Sequence, residues 1–234
     1  MKISILTLFP EMFDGPFTHS IVKRAQEKGL VQIELINIRD FGIGKHQIVD
    51  DTPYGGGVGM VMRVDVVHEA ITQAKKTFSD DTSVKQKVVL LTASGKTFKQ
   101  TLAKQFSQLD HLILICGHYE GIDDRIKHFI DEEISIGDFV LTGGELPAML
   151  ITDSVVRLIS GVITEGATDD ESFSQKGQTL LEYPHYTRPQ EYQGHSVPEV
   201  LLSGNHAHIA QWREEKSMDK TKLIRPDLLK APLK

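Results

Sequence analysis

Short hydrophobic runs alternate with stretches of helical spacing from the start of the chain to about Ser160. Apolar runs of this length, rich in β-branched side chains, are typical of buried strands. The predicted strands are Ile3–Leu8, Ile33–Ile38, Val88–Leu91, Leu112–Cys116 and Glu133–Ile136. Strands that alternate with helices are typical of a mostly parallel sheet covered on both faces. We therefore expect an α/β fold.

Between these strands, apolar residues recur at the spacing of a helix face. The pattern predicts helices over Val64–Phe78, Phe98–Leu109 and Ile122–Ile130. Leu146–Ile159 is apolar nearly all round, which predicts a deeply packed helix.

The alternation stops after residue 160. Residues 161–180 are polar, contain several glycines and include the acidic run Asp169–Glu171, a composition typical of a flexible linker. Further on, Ser203 or Asn205 can cap a helix that runs to about Met218. We expect an α/β domain over residues 1–160, a linker over residues 161–180 and a small all-α domain over residues 181–234.

Composition indicates a globular protein without a membrane segment. Hydrophobic residues make up 40% and charged residues 25% of the chain, which is ordinary for a globular domain. No apolar run approaches the roughly 20 residues that span a bilayer, and the N-terminal run reads as a strand and not as a signal peptide. The single cysteine, Cys116, excludes an internal disulfide and suits a reducing, cytoplasmic environment. We expect it to pack in the core.

Charge is unevenly distributed. The net charge of −6 taken alone argues against a nucleic-acid partner. Residues 183–234, however, hold 8 Lys and Arg against 6 Asp and Glu. This basic end could contact phosphates, although a solvated helix face explains it equally well.

Two glycine-bearing turns follow predicted strands, at Cys116–Gly121 and Ile136–Pro147. In α/β sheets, small ligands bind at the carboxyl ends of strands, and glycine lets a ligand approach the backbone closely. Neither turn has the spacing of a dinucleotide or P-loop motif, so another ligand is expected. A third loop, Val49–Met60, has four glycines in five positions and is expected to close on a ligand, presenting Asp50 and Asp51.

Several segments together resemble a known family, in order and at near-constant spacing. The family is that of the bacterial tRNA (guanine-N1)-methyltransferases, which belong to the SPOUT superfamily. The segments that carry the resemblance are Leu8–Phe13, Val49–Met60, Cys116–Arg125, Ile136–Ala148, His185–Pro189 and Val200–His206.

The resemblance implies transfer of a methyl group from S-adenosylmethionine to N1 of the guanine immediately 3′ to the anticodon of tRNA. It also implies a homodimer with its active site at the interface and contacts to the anticodon stem-loop. The fold would be a SPOUT-type parallel sheet with a C-terminal trefoil knot in the catalytic domain, between about Val88 and Leu141. The pattern of strands and helices alone would not predict a knot.

The resemblance assigns a set of residues to the donor site, largely through backbone groups. They are Leu91, Gly117, Tyr119, Glu120, Gly121, Ile136, Gly137, Asp138, Phe139, Val140, Leu141, Gly143 and Gly144. Glu120 could face the sulfonium or amino group of the donor, or it could be an acid favoured by a helix N-terminus.

Catalysis is assigned to an arginine and a linker carboxylate. By resemblance, Arg157 stabilises negative charge that develops on guanine O6, while an ion pair with Asp153 is the alternative. The family usually has aspartate directly before Ser-Phe in the linker, where this chain has Glu171. The general base is therefore Glu171 or Asp170, with Asp169 as a weaker candidate.

Four further residues are expected at the substrate. Asp50 and Asp51 can accept hydrogen bonds from guanine N1 and N2, and His185 and Arg188 can contact splayed bases. Trp212, at helical spacing from Ile209, is expected in the core of the small domain. The resemblance also suggests that the reaction depends on Mg²⁺, but the sequence shows no dedicated metal site.

Overall fold

A computed structural model describes residues 1–78, 83–174 and 179–229. The chain divides into two compact units, Met1–Ile163 and Thr164–Lys234. Residues 164–174 of the expected linker belong to the second unit. Residues 175–178 of that linker, and residues 230–234 of the expected C-terminal domain, lie outside the described residues. The division into domain, linker and domain therefore stays a prediction.

A five-stranded parallel sheet forms the centre of the first unit, as the alternating pattern predicts. The strands of this unit are β1 (Lys2–Thr7), β2 (Gln32–Asn37), β3 (Asp50–Asp51), β4 (Val61–Met62), β5 (Gln86–Thr97), β6 (His111–Cys116) and β7 (Glu132–Ser135). The sheet has the order β2-β1-β6-β5-β7, while β3 and β4 form a separate antiparallel pair. The helices are α1 (Ser20–Glu27), α2 (Val64–Lys75), α3 (Gln100–Phe106) and α4 (Glu145–Val156).

The two faces of the sheet bury different side chains, because successive residues of a strand point to opposite sides. Ile3, Leu112 and Leu114 pack on one face with residues of α1, α3 and α4. Leu6 and Ile113 pack on the other face, mainly against α2. The sheet is therefore covered on both sides, which explains why its central strands read as continuous apolar runs.

All five predicted strands of the sheet are confirmed, but β5 extends six residues beyond its predicted end at Leu91. Leu91 and Lys96 both pair with Ile134 of β7, so residues 92–95 bulge out of the ladder. A Cβ on Gly95 would lie 2.5 Å from the backbone nitrogen of Ile134, so this close approach requires glycine. The apolar pattern stops at the bulge, whereas the strand resumes after it.

Three of the predicted helices are confirmed with shifted ends. The region Val64–Phe78 contains α2 and a following 3-10 turn, and Leu146–Ile159 corresponds to α4. In the region Phe98–Leu109, α3 begins only at Gln100. The chain is still extended at Phe98, because its backbone N–H donates to the Ser135 carbonyl of β7.

The predicted helix over Ile122–Ile130 is wrong. Only a 3-10 helix forms there, from Asp124 to His128. Ile122 bridges to Met62 of β4, and the N–H of Asp123 donates to the Met62 carbonyl at 3.0 Å. These contacts hold the start of the segment extended, which leaves too few residues for an α-helix.

The second unit contains the strands β8 (Glu191–Tyr192) and β9 (His195–Ser196) and the helices α5 (Glu199–Leu202) and α6 (His206–Ile224). The unit is therefore not all-α, as was expected, because it also contains a short antiparallel pair of strands. Its turn places Gln193 and Gly194 at φ +50° and +79°, the geometry of the hairpin turns that match strand twist. Gln-Gly is a weaker hairpin signal than Asn-Gly.

Helix α6 begins where predicted, since the Asn205 side chain accepts a hydrogen bond from the His208 N–H at 3.3 Å. It ends six residues later than expected. Its buried residues are the small polar Ser217 and Thr221, and the Thr221 hydroxyl accepts from the N–H of Leu181 at 2.9 Å. Within residues 1–78, 83–174 and 179–229, none of the helices combines the length and hydrophobicity that crossing a membrane demands.

Candidate functional site

The ends of β6 and β7 lie at the same level of the sheet as the bulge of β5. Leu91 of β5 pairs with both Cys116 of β6 and Ile134 of β7. The chain crosses from β5 inwards to β6, and then returns past β5 to the edge strand β7. Ligands of open α/β sheets bind in the crevice outside the carboxyl ends of the strands. A cleft of about 350 Å³ lies at this position.

The bulge of β5, the turns that follow β6 and β7, and the start of α4 line the cleft. Of the thirteen residues expected at the donor, eleven are among the lining residues. They are Leu91, Gly117, Tyr119, Glu120, Gly121, Ile136, Phe139, Val140, Leu141, Gly143 and Gly144. Gly137 and Asp138 are not. The Phe139 ring lies over Gly137, where a Cβ would be 2.5 Å from its Cε1.

Other residues also line the cleft. Thr92 and Ser94, in the bulge of β5, lie beyond the predicted end of that strand. Sequence reasoning missed His118, Asp124, Lys127 and Glu133. His118 lies inside the first glycine-bearing turn, so its position in that motif was an available signal.

The turn after β6 is fixed directly to the start of α4. The N–H of Gly144 donates to the Gly117 carbonyl at 2.9 Å. A Cβ on Gly144 would lie 2.6 Å from the Cα of Cys116, so only glycine permits this approach. Cys116 itself is buried, and burial, followed by the nearby Glu145 carboxylate, raises the pKa of its thiol. An inert, packed cysteine fits these surroundings.

The glycine-rich loop, residues 52–60, connects β3 to β4 and is bonded to the same side of the cleft. The Met60 carbonyl accepts from the N–H of Glu120 at 3.1 Å, and the N–H of Met62 donates to Gly121 at 2.9 Å. A Cβ on Gly59 would lie 2.5 Å from the Cγ of Glu120. The absence of an α-helix in described residues 119–130 removes the alternative explanation of Glu120 as a helix N-terminal acid.

Asp50 and Asp51 form β3 next to this loop, but neither lines the cleft. Asp51 Oδ2 lies 3.3 Å from Arg63 Nη1, and its Oδ1 accepts from the N–H of Thr52 at 2.8 Å. The structure thus places the two aspartates on a hairpin that is hydrogen-bonded to the cleft wall.

The cleft is mainly acidic. Glu120, Asp124 and Glu133 line it together with a single ammonium group among its lining residues, that of Lys127. Lys127 Nζ lies 2.5 Å from Asp124 Oδ1 and 3.9 Å from Glu133 Oε2, and the hydrogen bond to Asp124 raises the pKa of Lys127. This balance favours a cationic ligand. No cluster of three or more His, Cys, Asp or Glu side chains suited to a metal ion occurs in the part of the chain that the structure describes.

Arg157 lies at the opposite end of α4 from the cleft. Pro147, in the first turn of α4, lines the cleft, and Arg157 is the C-cap residue of the helix. Ten residues of helix separate them by about 15 Å. The structure therefore does not bring Arg157 to the cleft of its own chain. Whether it pairs with Asp153 stays a prediction.

The candidate bases lie in the second unit. Asp169 and Asp170 are exposed, whereas Glu171 is half-buried. The next residues are anchored within this unit, because Ser172 Oγ accepts from the N–H of Glu182 at 3.0 Å and the N–H of Phe173 donates to Leu180 at 2.8 Å.

Aromatic rings cluster on the surface of the second unit. The Tyr183 ring lies 4.8 Å from that of His185, and the Arg213 guanidinium lies 4.8 Å from the Tyr183 centroid. His185 Nε2 is also 2.7 Å from the Glu182 carboxylate. Arg188 is exposed.

The prediction that Trp212 belongs to the core is wrong. The residue is half-buried, and its ring lies 6.3 Å from that of the exposed Tyr186. The helical spacing from Ile209 identified a shared helix face correctly, but that face is only partly covered.

Comparison with known proteins gives one consistent result. Residues 1–231 match the family described as tRNA (Guanine-1)-methyltransferase TrmD. A tRNA (guanine-N(1)-)-methyltransferase of Staphylococcus epidermidis is 53% identical over 98% of this chain and 91% of its own. Proteins of the same name from Desulforamulus reducens and Carboxydothermus hydrogenoformans are 51% and 54% identical, covering 98% and 99% of this chain and 89% and 88% of theirs.

Proposed function

Because the chain belongs to the tRNA (guanine-1)-methyltransferase family, as its motifs predict, we propose that it methylates N1 of the guanine immediately 3′ to the anticodon of tRNA, with S-adenosylmethionine as donor. The observation that carries this proposal is the cleft formed at the bulge of β5 and the carboxyl ends of β6 and β7, lined by most of the residues expected at the donor. A tRNA substrate implies action in the cytoplasm.

The cleft fits this donor in size and chemistry. Its volume of about 350 Å³ lies within the usual range for small-ligand sites. Gly117 and Gly143 leave its wall open to backbone contacts, and the excess of carboxylates complements a positive charge. When bound, S-adenosylmethionine supplies a methyl group activated by a sulfonium sulfur.

The chain's own residues must deprotonate guanine N1 and stabilise charge on O6. A linker carboxylate, Glu171 or Asp170, takes the N1 proton. Arg157 donates hydrogen bonds to O6 as negative charge develops there, which lowers the barrier to proton removal. Asp50 and Asp51 hold the guanine edge by accepting hydrogen bonds.

The position of Arg157 supports a homodimer with its active site at the interface. Leu146 and Leu150 are about half exposed on α4, and Arg157 lies on the same face at the spacing of successive turns. Exposed apolar residues on one helix face favour cover by another protein surface. A second copy that covers this face could bring Arg157 to the partner's cleft, because its own cleft lies too far away for Arg157 to reach.

The second unit supplies the surface for tRNA. Tyr186 and Trp212 can stack on splayed bases of the anticodon stem-loop, and His185, Arg188 and Arg213 can contact bases or phosphates. The trefoil knot also remains part of the proposal. Most residues that line the cleft belong to the segment, Val88 to Leu141, in which the knot is expected.

The first test is transfer of a labelled methyl group from S-adenosylmethionine to an unmodified tRNA transcript. We expect label only when the guanine 3′ to the anticodon is present. Label that persists after that guanine is replaced would remove the substrate assignment, while failure to bind S-adenosylmethionine would remove the donor.

A second test addresses the interface. Gly117→Phe should fill the cleft, because Gly117 lines it and a Cβ there makes only ordinary contacts, the shortest 3.5 Å to the Leu91 carbonyl. Arg157→Ala leaves the cleft intact. Mixed dimers of the two inactive variants should regain activity, since one of their two sites combines an open cleft with an intact arginine. No gain on mixing would contradict the shared site.

A further inference from the structure

Glu145 is a buried carboxylate directly behind the donor cleft. It is the first residue of α4 and only 2% exposed. Its Oε1 accepts a hydrogen bond from the Thr7 hydroxyl at the end of β1, at 2.8 Å. That hydroxyl in turn accepts from the N–H of Phe9 at 3.0 Å. One oxygen of the carboxylate is thus anchored to the sheet.

The other oxygen, Oε2, faces the imidazole of His118 across Gly143. A Cβ on Gly143 would lie 2.3 Å from Glu145 Oε2 and 2.9 Å from His118 Nδ1. Both atoms therefore border the small space that the missing side chain leaves. His118 Nδ1 is buried and has no hydrogen-bond partner among the described residues. A buried ring nitrogen without a partner is costly, so such atoms are normally satisfied.

The ring of His118 is held from two sides. It makes edge contacts with Phe9 and with Tyr119, each at a centroid distance of 5.0 Å. His118 and Gly143 both line the cleft, whereas Glu145 does not. Any effect of Glu145 on a ligand must therefore pass through its neighbours.

We propose that Glu145 is a positioning residue that acts through His118. Its carboxylate accepts a hydrogen bond from the Nδ1–H of His118, directly or through one water in the space at Gly143. The pair fixes the tautomer with its proton on Nδ1, so that Nε2 is left as an acceptor for a hydroxyl or amine of the methyl donor. Carboxylates commonly orient histidine side chains at functional sites in this way. This inference rests on the proposed function of the cleft.

The variant Glu145→Gln tests the pairing with little change of shape. A glutamine can still accept from Thr7 through its oxygen, but its amide nitrogen donates towards His118 Nδ1. We expect the His118 proton to move to Nε2, which ¹⁵N NMR of the ring nitrogens detects. Affinity for S-adenosylmethionine, measured by calorimetry, should fall at least about fivefold, because an acceptor at the ligand becomes a donor.

Two further variants separate pairing from support of the fold. Thr7→Val removes the anchor but keeps the carboxylate, and should leave the His118 tautomer unchanged. Gly143→Ala fills the space between the two groups and should weaken donor binding. An unchanged tautomer and donor affinity in Glu145→Gln would overturn the inference. If the wild-type protein itself fails to bind S-adenosylmethionine, the proposed function fails, whereas the tautomer still reports on the pair.

Discussion

Acidification should destabilise the first unit through one buried histidine, His111. This residue is fully buried at the start of β6. Its Nε2 lies 2.9 Å from the Ser4 hydroxyl, and its Nδ1 lies 3.1 Å from Gln86 Oε1. Burial, and then the charge of Lys2, lower the pKa of His111 to about 4, while Glu34 acts in the opposite direction. The folded protein therefore keeps this imidazole neutral where the unfolded chain protonates it.

The size and sign of the effect follow from proton linkage. Between pH 6.5 and about 4, the unfolded state binds a proton at this residue that the folded state does not. The contribution of His111 to the free energy of unfolding is fully present above pH 6.5 and is lost as the pH falls towards 4. At about 1.4 kcal/mol per pKa unit, the loss attributable to His111 is about 3 kcal/mol. That is a large fraction of the stability of a typical domain.

The comparison of wild type with His111→Gln measures this contribution. Glutamine can retain contacts to its neighbours but does not titrate, so its stability should fall less on acidification. Native-state hydrogen exchange followed by mass spectrometry, read on peptides from β1 and β6, reports on this unit alone. Fluorescence of Trp212 would report on the other unit. The same substitution at His68, which is half-buried in the first unit, provides a matched control.

The two proteins should differ in pH dependence by about 3 kcal/mol between pH 6.5 and 4. If the opening free energies of wild type and His111→Gln fall in parallel over this range, His111 does not titrate as its surroundings imply. A similar flattening in the His68 variant would show that the effect is not specific to the buried site.

Three predictions concern activity. Gly59→Ala should weaken donor affinity about tenfold in calorimetry by displacing Glu120, whereas Gly55→Ala, with a similar positive φ and open surroundings, controls for backbone strain. Arg157→Ala should abolish methyl transfer and leave donor affinity nearly intact; an equal loss of binding would contradict its role. Glu171→Ala should reduce single-turnover rates by about two to four orders of magnitude, and a near-wild-type rate would move the base to the neighbouring aspartate.

The strands of the sheet were predictable because each one is marked by an apolar run in its own residues. An apolar run such as Leu112–Cys116 has few other stable environments, so the strands of the sheet were found with small errors at their ends. The exceptions arise from pairing between distant segments. The bulge before Lys96 depends on β7, and the extended start of the segment at Ile122 depends on β4. Neither partner can be read from the residues concerned.

The candidate site was predictable to the extent that it consists of turns at strand ends. Glycine-bearing turns after β6 and β7 were found by position, and the family resemblance supplied the names of individual residues. Side chains that reach the cleft from elsewhere, such as Lys127 and Glu133, were not found. Their placement follows from a 3-10 helix and from strand order, and neither has a distinct sequence signal.

Adjacent glycines in the same motif can exist for different physical reasons. A Cβ at Gly144 would meet the backbone of Cys116 at 2.6 Å, and backbone cannot move without disturbing β6. The three atoms nearest to a Cβ at Gly143 belong to the side chains of Glu145 and His118. Gly144 is therefore required by the packing of α4 against the sheet, whereas Gly143 keeps open a space beside the cleft. A substitution at Gly144 should lower stability before activity, and one at Gly143 should do the reverse.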